Sequence, residues 1–178
     1  ITNLTMMVPF CRTPEEGRKV MEIIEKILGK RINTNNEERI DANHSRQFEP
    51  NSRQFEGYKV YVMCEIPSNI LQADEFLEIF DGMSIGSNDL TQLTLGIDRD
   101  NEILQGIADE RNESVKKLIA EIIKKCKEKG KYVGICGQAP SDFPEIVEFL
   151  VKQGIESISI NSDVVIKTIE MVKKFETK

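Results

Sequence analysis

Short apolar runs at residues 4–10, 59–65, 83–86, 131–136 and 157–160 alternate with longer stretches whose apolar positions recur every three or four residues. Brief, β-branched, continuously apolar runs are expected of strands buried on both faces. The intervening stretches carry helix signals. Thr13-Pro14-Glu15-Glu16 supplies an N-cap, a proline at the first helical position and a capping-box glutamate, and Gly29 follows as a stop. Val115, Leu118, Ile119, Ile122 and Cys126 recur at helical spacing before Gly130, which places Cys126 in the core. Ser141 and Asp142 are expected to open a further helix ending at Gly154, and Asn161 and Ser162 to open the last, with Lys173 and Lys174 suited to its C-terminal dipole. Ile70, Leu71, Ala73, Phe76, Leu77 and Phe80 mark one more apolar segment between residues 67 and 80.

Strands alternating with helices imply an α/β fold with a parallel sheet and right-handed crossovers. In such folds chemistry gathers at the carboxyl ends of the strands. Residues 30–57 break the rhythm. They are polar, Asn-rich and repeat Ser-Arg-Gln-Phe-Glu, which reads as a long surface loop or insertion. The single histidine, His44, lies there, without the rigid support a catalytic group needs.

Composition narrows the function classes. A net charge of −6 argues against nucleic-acid or anionic-membrane partners, and no apolar run approaches the length of a membrane span. The four cysteines, Cys11, Cys64, Cys126 and Cys136, lack CxxC spacing, so a reducing cytoplasm is the default compartment and small buried hydrophobes the default role. The chain opens Ile-Thr-Asn without an initiator methionine or signal peptide, and is expected to be a piece of something longer.

Three strands end in chemically loaded residues. The second ends Met63-Cys64-Glu65-Ile66-Pro67, the third Ile85-Gly86-Ser87-Asn88-Asp89, and the fourth Gly134-Ile135-Cys136-Gly137. Glu65 and Asp89 stand about one βα repeat apart, which predicts neighbouring strands facing one mouth. Converging carboxylates repel unless a cation or proton intervenes, and carboxylate oxygens completed by water and substrate suit Mg²⁺ or Mn²⁺. The same residues could instead pair with an arginine and cap the next helix. Cys136 could serve as an acid or base, or simply fill the core. Arg99 could clamp a phosphate or carboxylate, or be a solvated charge beside Asp98 and Asp100.

Met63-Cys64-Glu65-Ile66-Pro67-Ser68-Asn69, Ser84-Ile85-Gly86-Ser87-Asn88-Asp89-Leu90-Thr91-Gln92 and Gly134-Ile135-Cys136-Gly137-Gln138 closely resemble the phosphoenolpyruvate-utilising enzymes. Ala73-Asp74-Glu75-Phe76-Leu77 and the segment 154–160 carry the same resemblance, which covers nearly everything outside residues 30–57. It implies Glu65 and Asp89 as ligands of Mg²⁺, or Mn²⁺, and Asn88, with Gly86 and Ser87, as substrate-binding. It implies Arg99 on the transferred phosphoryl group and Cys136 as the residue that moves a proton at the methylene carbon of the enolate. Phosphoenolpyruvate and pyruvate are the implied ligands, with the phosphoryl group arriving from a phosphohistidine on another domain.

The implied fold is a partial (β/α)₈ TIM barrel of the phosphoenolpyruvate/pyruvate type. About five βα units are visible where a whole barrel has eight. The first three units, the phosphohistidine domain and the ATP-grasp domain are therefore expected elsewhere, and the chain alone is expected to lack turnover. Open sheet edges and an apolar interior suggest a homodimer. Two other readings remain. One is a Mg²⁺-dependent aldolase or lyase acting on pyruvate enolates, the other a non-catalytic truncated dimerisation module.

Overall fold

The computed structural model describes residues 4–28, 58–98, 101, 103–104 and 106–176; the loop at residues 30–57, with His44, lies outside them, as does Arg99. Five parallel strands lie in sequence order: β1 (Thr5–Val8), β2 (Lys59–Cys64), β3 (Gly82–Gly86), β4 (Tyr132–Cys136) and β5 (Ser157–Ile158). Between them run α1 (Pro14–Leu28), α2 (Pro67–Leu71), α3 (Ala73–Ile79), α4 (Ser87–Leu95), α5 (Glu113–Glu128), α6 (Ala139–Asp142) and α7 (Pro144–Gln153), and a 3₁₀ turn leads into α8 (Val165–Glu176). Neighbouring strands that are consecutive in the chain and parallel are the arrangement of a barrel wall. The partial-barrel expectation holds.

Period-two alternation divides each strand between two environments. Val60, Val62 and Cys64, Met83 and Ile85, and Val133 and Ile135 join the core that contains Phe76, Phe80, Ile119, Ile122, Ile123, Cys126 and Leu150 from the helices. The alternate residues, Tyr61 and Met63, Gly82, Ser84 and Gly86, Tyr132, Gly134 and Cys136, line the opposite, concave face. Its lowest layer is Tyr61, Gly82 and Tyr132 in register, and the two tyrosine rings stack at 4.4 Å across the glycine. A Cβ on Gly82 would sit 2.6 Å from the Tyr132 carbonyl oxygen. Gly82→Ala is therefore expected to cost about 1–3 kcal/mol in urea unfolding, as overpacking does.

Several expectations shift at the edges. The first run is strand only over Thr5–Val8, because Pro9 lacks an N–H and Phe10 has φ 50°. The last is strand only at Ser157–Ile158. These edge strands are partly exposed, and only β3 is buried throughout. Thr13 caps α1 as expected, its hydroxyl accepting from the Glu16 N–H at 3.3 Å. Glu16, however, reaches the N–H of Arg12 at 2.8 Å, one residue before the expected capping-box partner. The segment at residues 67–80 is two helices, since the chain turns at Gln72. The helix expected from Ser141 splits into α6 and α7, with Pro144 opening the second.

Candidate active site

The concave face turns polar at its carboxyl end. Cys64 pairs with Ile85 and Gly86 with Cys136, so Glu65, one residue past β2, stands level with Gly86 and Cys136 on the same face. Gly86 makes that possible, because a Cβ there would lie 2.9 Å from both the Glu65 Cβ and its Oε2. Glu65 is 1% exposed. Its Oε1 accepts the Phe10 N–H at 2.7 Å. Burial pushes the Glu65 carboxyl above its ordinary range, the Phe10 hydrogen bond pulls it partly back, and the nearby charge of Asp89 raises it again.

Around Glu65 the backbone is held by one buried amide. Asn69 Oδ1 accepts from the N–H groups of Glu65 and Ile66 at 3.3 and 3.0 Å, while Nδ2 donates to the Cys11 carbonyl at 2.7 Å. Ser68 Oγ adds a bond to the Arg12 carbonyl at 2.9 Å. These ties join the start of α2 to the β1–α1 turn.

Asp89 is not a strand-end residue. It lies in the first turn of α4, which begins at Ser87 immediately after β3 and which strand periodicity did not separate from that strand. An acidic residue there also suits the helix dipole. Asn88 directs Oδ1 to the Gln138 N–H at 3.1 Å, and Ser87 Oγ donates to the Cys136 carbonyl at 3.4 Å. The turns after β3 and β4 are thereby locked together. Cys136 Sγ accepts from the Ser84 hydroxyl at 3.5 Å. Cys136 is partly exposed, whereas Cys11, Cys64 and Cys126 are buried, as the core reading expected.

The fold thus brings Glu65, Gly86, Ser87, Asn88, Asp89 and Cys136 to one end of the sheet. Asn69, Ser84 and Gln138 were not singled out by sequence reasoning. They lie inside the three strand-end motifs, so neighbourhood was the available signal. Glu110 had none. It sits in the α4–α5 connection, beside a cavity of about 140 Å³ lined by Asn88, Thr91, Gln92, Ala108 and Gln138. Burial pushes its carboxyl up from 4.5, opposed by bonds to the Ser87 side chain and the Ala139 backbone. A raised carboxyl pKa means that the folded state holds its proton more tightly than the unfolded chain, so stability falls as pH rises from about 4.5 through the folded value. Glu110→Gln should therefore be the more stable protein at neutral pH, with the difference closing as pH falls below about 4.5. Thermal melts across that range would show it, and a pH-independent difference would refute it.

Comparison with known proteins bears on the same residues. The family described as PEP-utilising enzyme, PEP-binding domain, matches residues 1–177. Phosphoenolpyruvate synthase of Aquifex aeolicus is 54% identical over the whole chain, and that of Helicobacter pylori 51% over 99% of it. Phosphoenolpyruvate synthase of Escherichia coli is 43% identical over 94% of the chain. The chain spans only about 18% of the length of the Aquifex aeolicus and Escherichia coli relatives. Among solved structures, a HpcH/HpaI aldolase/citrate lyase family protein from Burkholderia cenocepacia superimposes with a TM-score of 0.56 at 15% identity, over 98% of this chain and 65% of that one. That likeness concerns the fold alone.

Proposed function

The chain belongs to the PEP-utilising enzymes as their PEP-binding domain, and from that premise we propose that it forms part of the phosphoenolpyruvate/pyruvate site of a phosphoenolpyruvate synthase. The proposed overall reaction converts ATP, pyruvate and water to AMP, phosphoenolpyruvate and phosphate, with a phosphohistidine on another domain as the immediate phosphoryl donor. The carrying observation is the strand register that sets Glu65 level with Cys136 on one face, with Asp89 close enough to raise the Glu65 carboxyl.

The donor set suits Mg²⁺ or Mn²⁺. A buried carboxylate and a second one close by form a site that a hard divalent cation relieves. Among the described residues no three His, Cys, Asp or Glu side chains cluster for a metal, so Glu65 and Asp89 would leave coordination positions for substrate and water. A cation held there would supply charge neutralisation for an enolate oxygen. Cys136 would take the proton from the methyl carbon as pyruvate enolises and return it in the reverse direction, with its sulfur held in place by the Ser84 hydroxyl. Asn88, whose Oδ1 is occupied by Gln138, would offer its Nδ2 donor to the phosphoryl group. Gly86 and Ser87 would shape the substrate pocket and Arg99 would contact the phosphoryl group. Among the described residues, β1 and β5 are the edge strands of the sheet. We assign those edges to the remaining barrel units and the homodimer contact to this barrel. Among the described residues no helix is long and apolar enough to cross a membrane.

Calorimetry with Mn²⁺ and isotope exchange in the full-length protein test this reading. Glu65→Gln should weaken Mn²⁺ binding by about tenfold or more, as losing a charged ligand does. Cys136→Ser should keep Mn²⁺ affinity yet lose deuterium exchange at the pyruvate methyl group. Undiminished Mn²⁺ binding by Glu65→Gln, or undiminished exchange in Cys136→Ser, would overturn the corresponding role.

A further inference from the structure

Glu65 is held by a closed circuit of hydrogen bonds. Its own N–H donates to Asn69 Oδ1, Asn69 Nδ2 donates to the Cys11 carbonyl, and the N–H of the adjoining Phe10 returns to Glu65 Oε1. Phe10 completes the circuit while adopting φ 50°; it is the one non-glycine residue with positive φ among those described. An aromatic side chain gains nothing from that conformation, and the residue is 45% exposed, so packing does not explain it. The conformation is instead imposed from both sides. Pro9 precedes it, and the carbonyls of Cys11 and Arg12 just beyond are fixed by Asn69 and Ser68. Strain held this firmly beside a candidate site marks a residue whose backbone, rather than its side chain, is in use.

We infer that Asn69 and Phe10 are a positioning pair for Glu65: the strained Phe10 amide fixes one carboxylate oxygen, Oε1, so that Oε2 is presented to a divalent cation in a single orientation. This rests on the reading of Glu65 as a cation ligand. Asn69 is fully buried and both ends of its amide are used, so it couples the end of β2 to the turn that carries the donor. An unconstrained carboxylate would turn away from Asp89, whose charge opposes its own.

The probe is Mn²⁺ alone, titrated into the full-length protein and four variants well below their melting temperatures. Phe10→Pro, which loses the N–H and cannot reach positive φ, and Asn69→Ala should each weaken binding about tenfold. Phe10→Gly, which keeps the N–H and adopts φ 50° without strain, should stay within about twofold of the parent. Leu150→Ala, a core truncation on α7, serves as the stability control and should not change affinity. Parent-like binding by Phe10→Pro overturns the inference, as does equal weakening in Leu150→Ala. If Asn69→Ala does not fold, the two Phe10 variants decide.

The Phe10 amide proton separates this inference from the cation reading. In the metal-free chain it should exchange slowly, and fast in Glu65→Ala. A parent that binds no Mn²⁺ refutes the cation site, and the positioning pair then stands or falls on that exchange. Equal exchange rates in parent and Glu65→Ala overturn it.

Discussion

Phe80→Ala is expected to remove roughly 3–5 kcal/mol of stability, the range for deleting a buried aromatic ring. Domains of this kind hold about 5–15 kcal/mol in total, so the variant should unfold at much lower urea concentration. Phe80 is fully buried at the end of α3, where it lies 6.5 Å from the Phe76 ring, centroid to centroid. Its edge abuts α1 at Gly17, close enough that a Cβ there would lie 3.0 Å from the ring. The ring therefore fills the junction of α1, α3 and the sheet. Alanine would leave a cavity that two helices cannot close without leaving their strands. A loss under about 1 kcal/mol would show that α1 collapses into the space.

Gly137→Ala is expected to disable the site with a smaller loss of fold. Gly137 has φ 140°, which L-residues rarely adopt, and a Cβ there would overlap the Ser87 hydroxyl and lie 3.0 Å from Asn88 Oδ1. Ser87 is itself fully buried and cannot retreat. The turn must move, taking with it the Gln138 bond to Asn88 and the Ser87 bond to the Cys136 carbonyl. Backbone strain of this kind costs about 1–3 kcal/mol. The functional loss should be larger, because a displacement near 1 Å in a reacting group costs on the order of 100-fold. Deuterium exchange into the methyl group of pyruvate, measured in the full-length enzyme, should fall by about that factor while the protein still melts cooperatively. Exchange within a few-fold of the parent would show that the turn after β4 does not set the position of Cys136.

Much of the site was legible before any coordinates. Glu65, Gly86, Ser87, Asn88, Asp89 and Cys136 stand in three motifs that start from strand ends, Asp89 being carried into the helix that follows β3, and strand ends are where a parallel sheet gathers chemistry. Legibility stopped wherever a role depends on a backbone group. Phe10 reads as the last apolar residue of a strand, and nothing in its side chain announces an amide turned back to a carboxylate. Asn69 is one polar residue within a motif, and nothing in the sequence announces that its amide ties together segments far apart in the chain. Glu110 sits among other charges, and only folding shows that it is partly buried against the turns at Ser87 and Ala139.

By itself the sequence determined the alternation of strand and helix and the order in which the reactive residues follow the strands. Those follow from local periodicity, which each segment carries within itself. Tertiary structure alone decided that α4 begins at once after β3, lifting Asp89 from a strand end onto a helix. It also decided that the Phe10 amide binds the Glu65 carboxylate and that Asn69 holds the Glu65 backbone. The physical reason is common to both. The partners are backbone N–H and C=O groups that every residue carries, so their pairing is written in strand register and turn conformation, not in residue type.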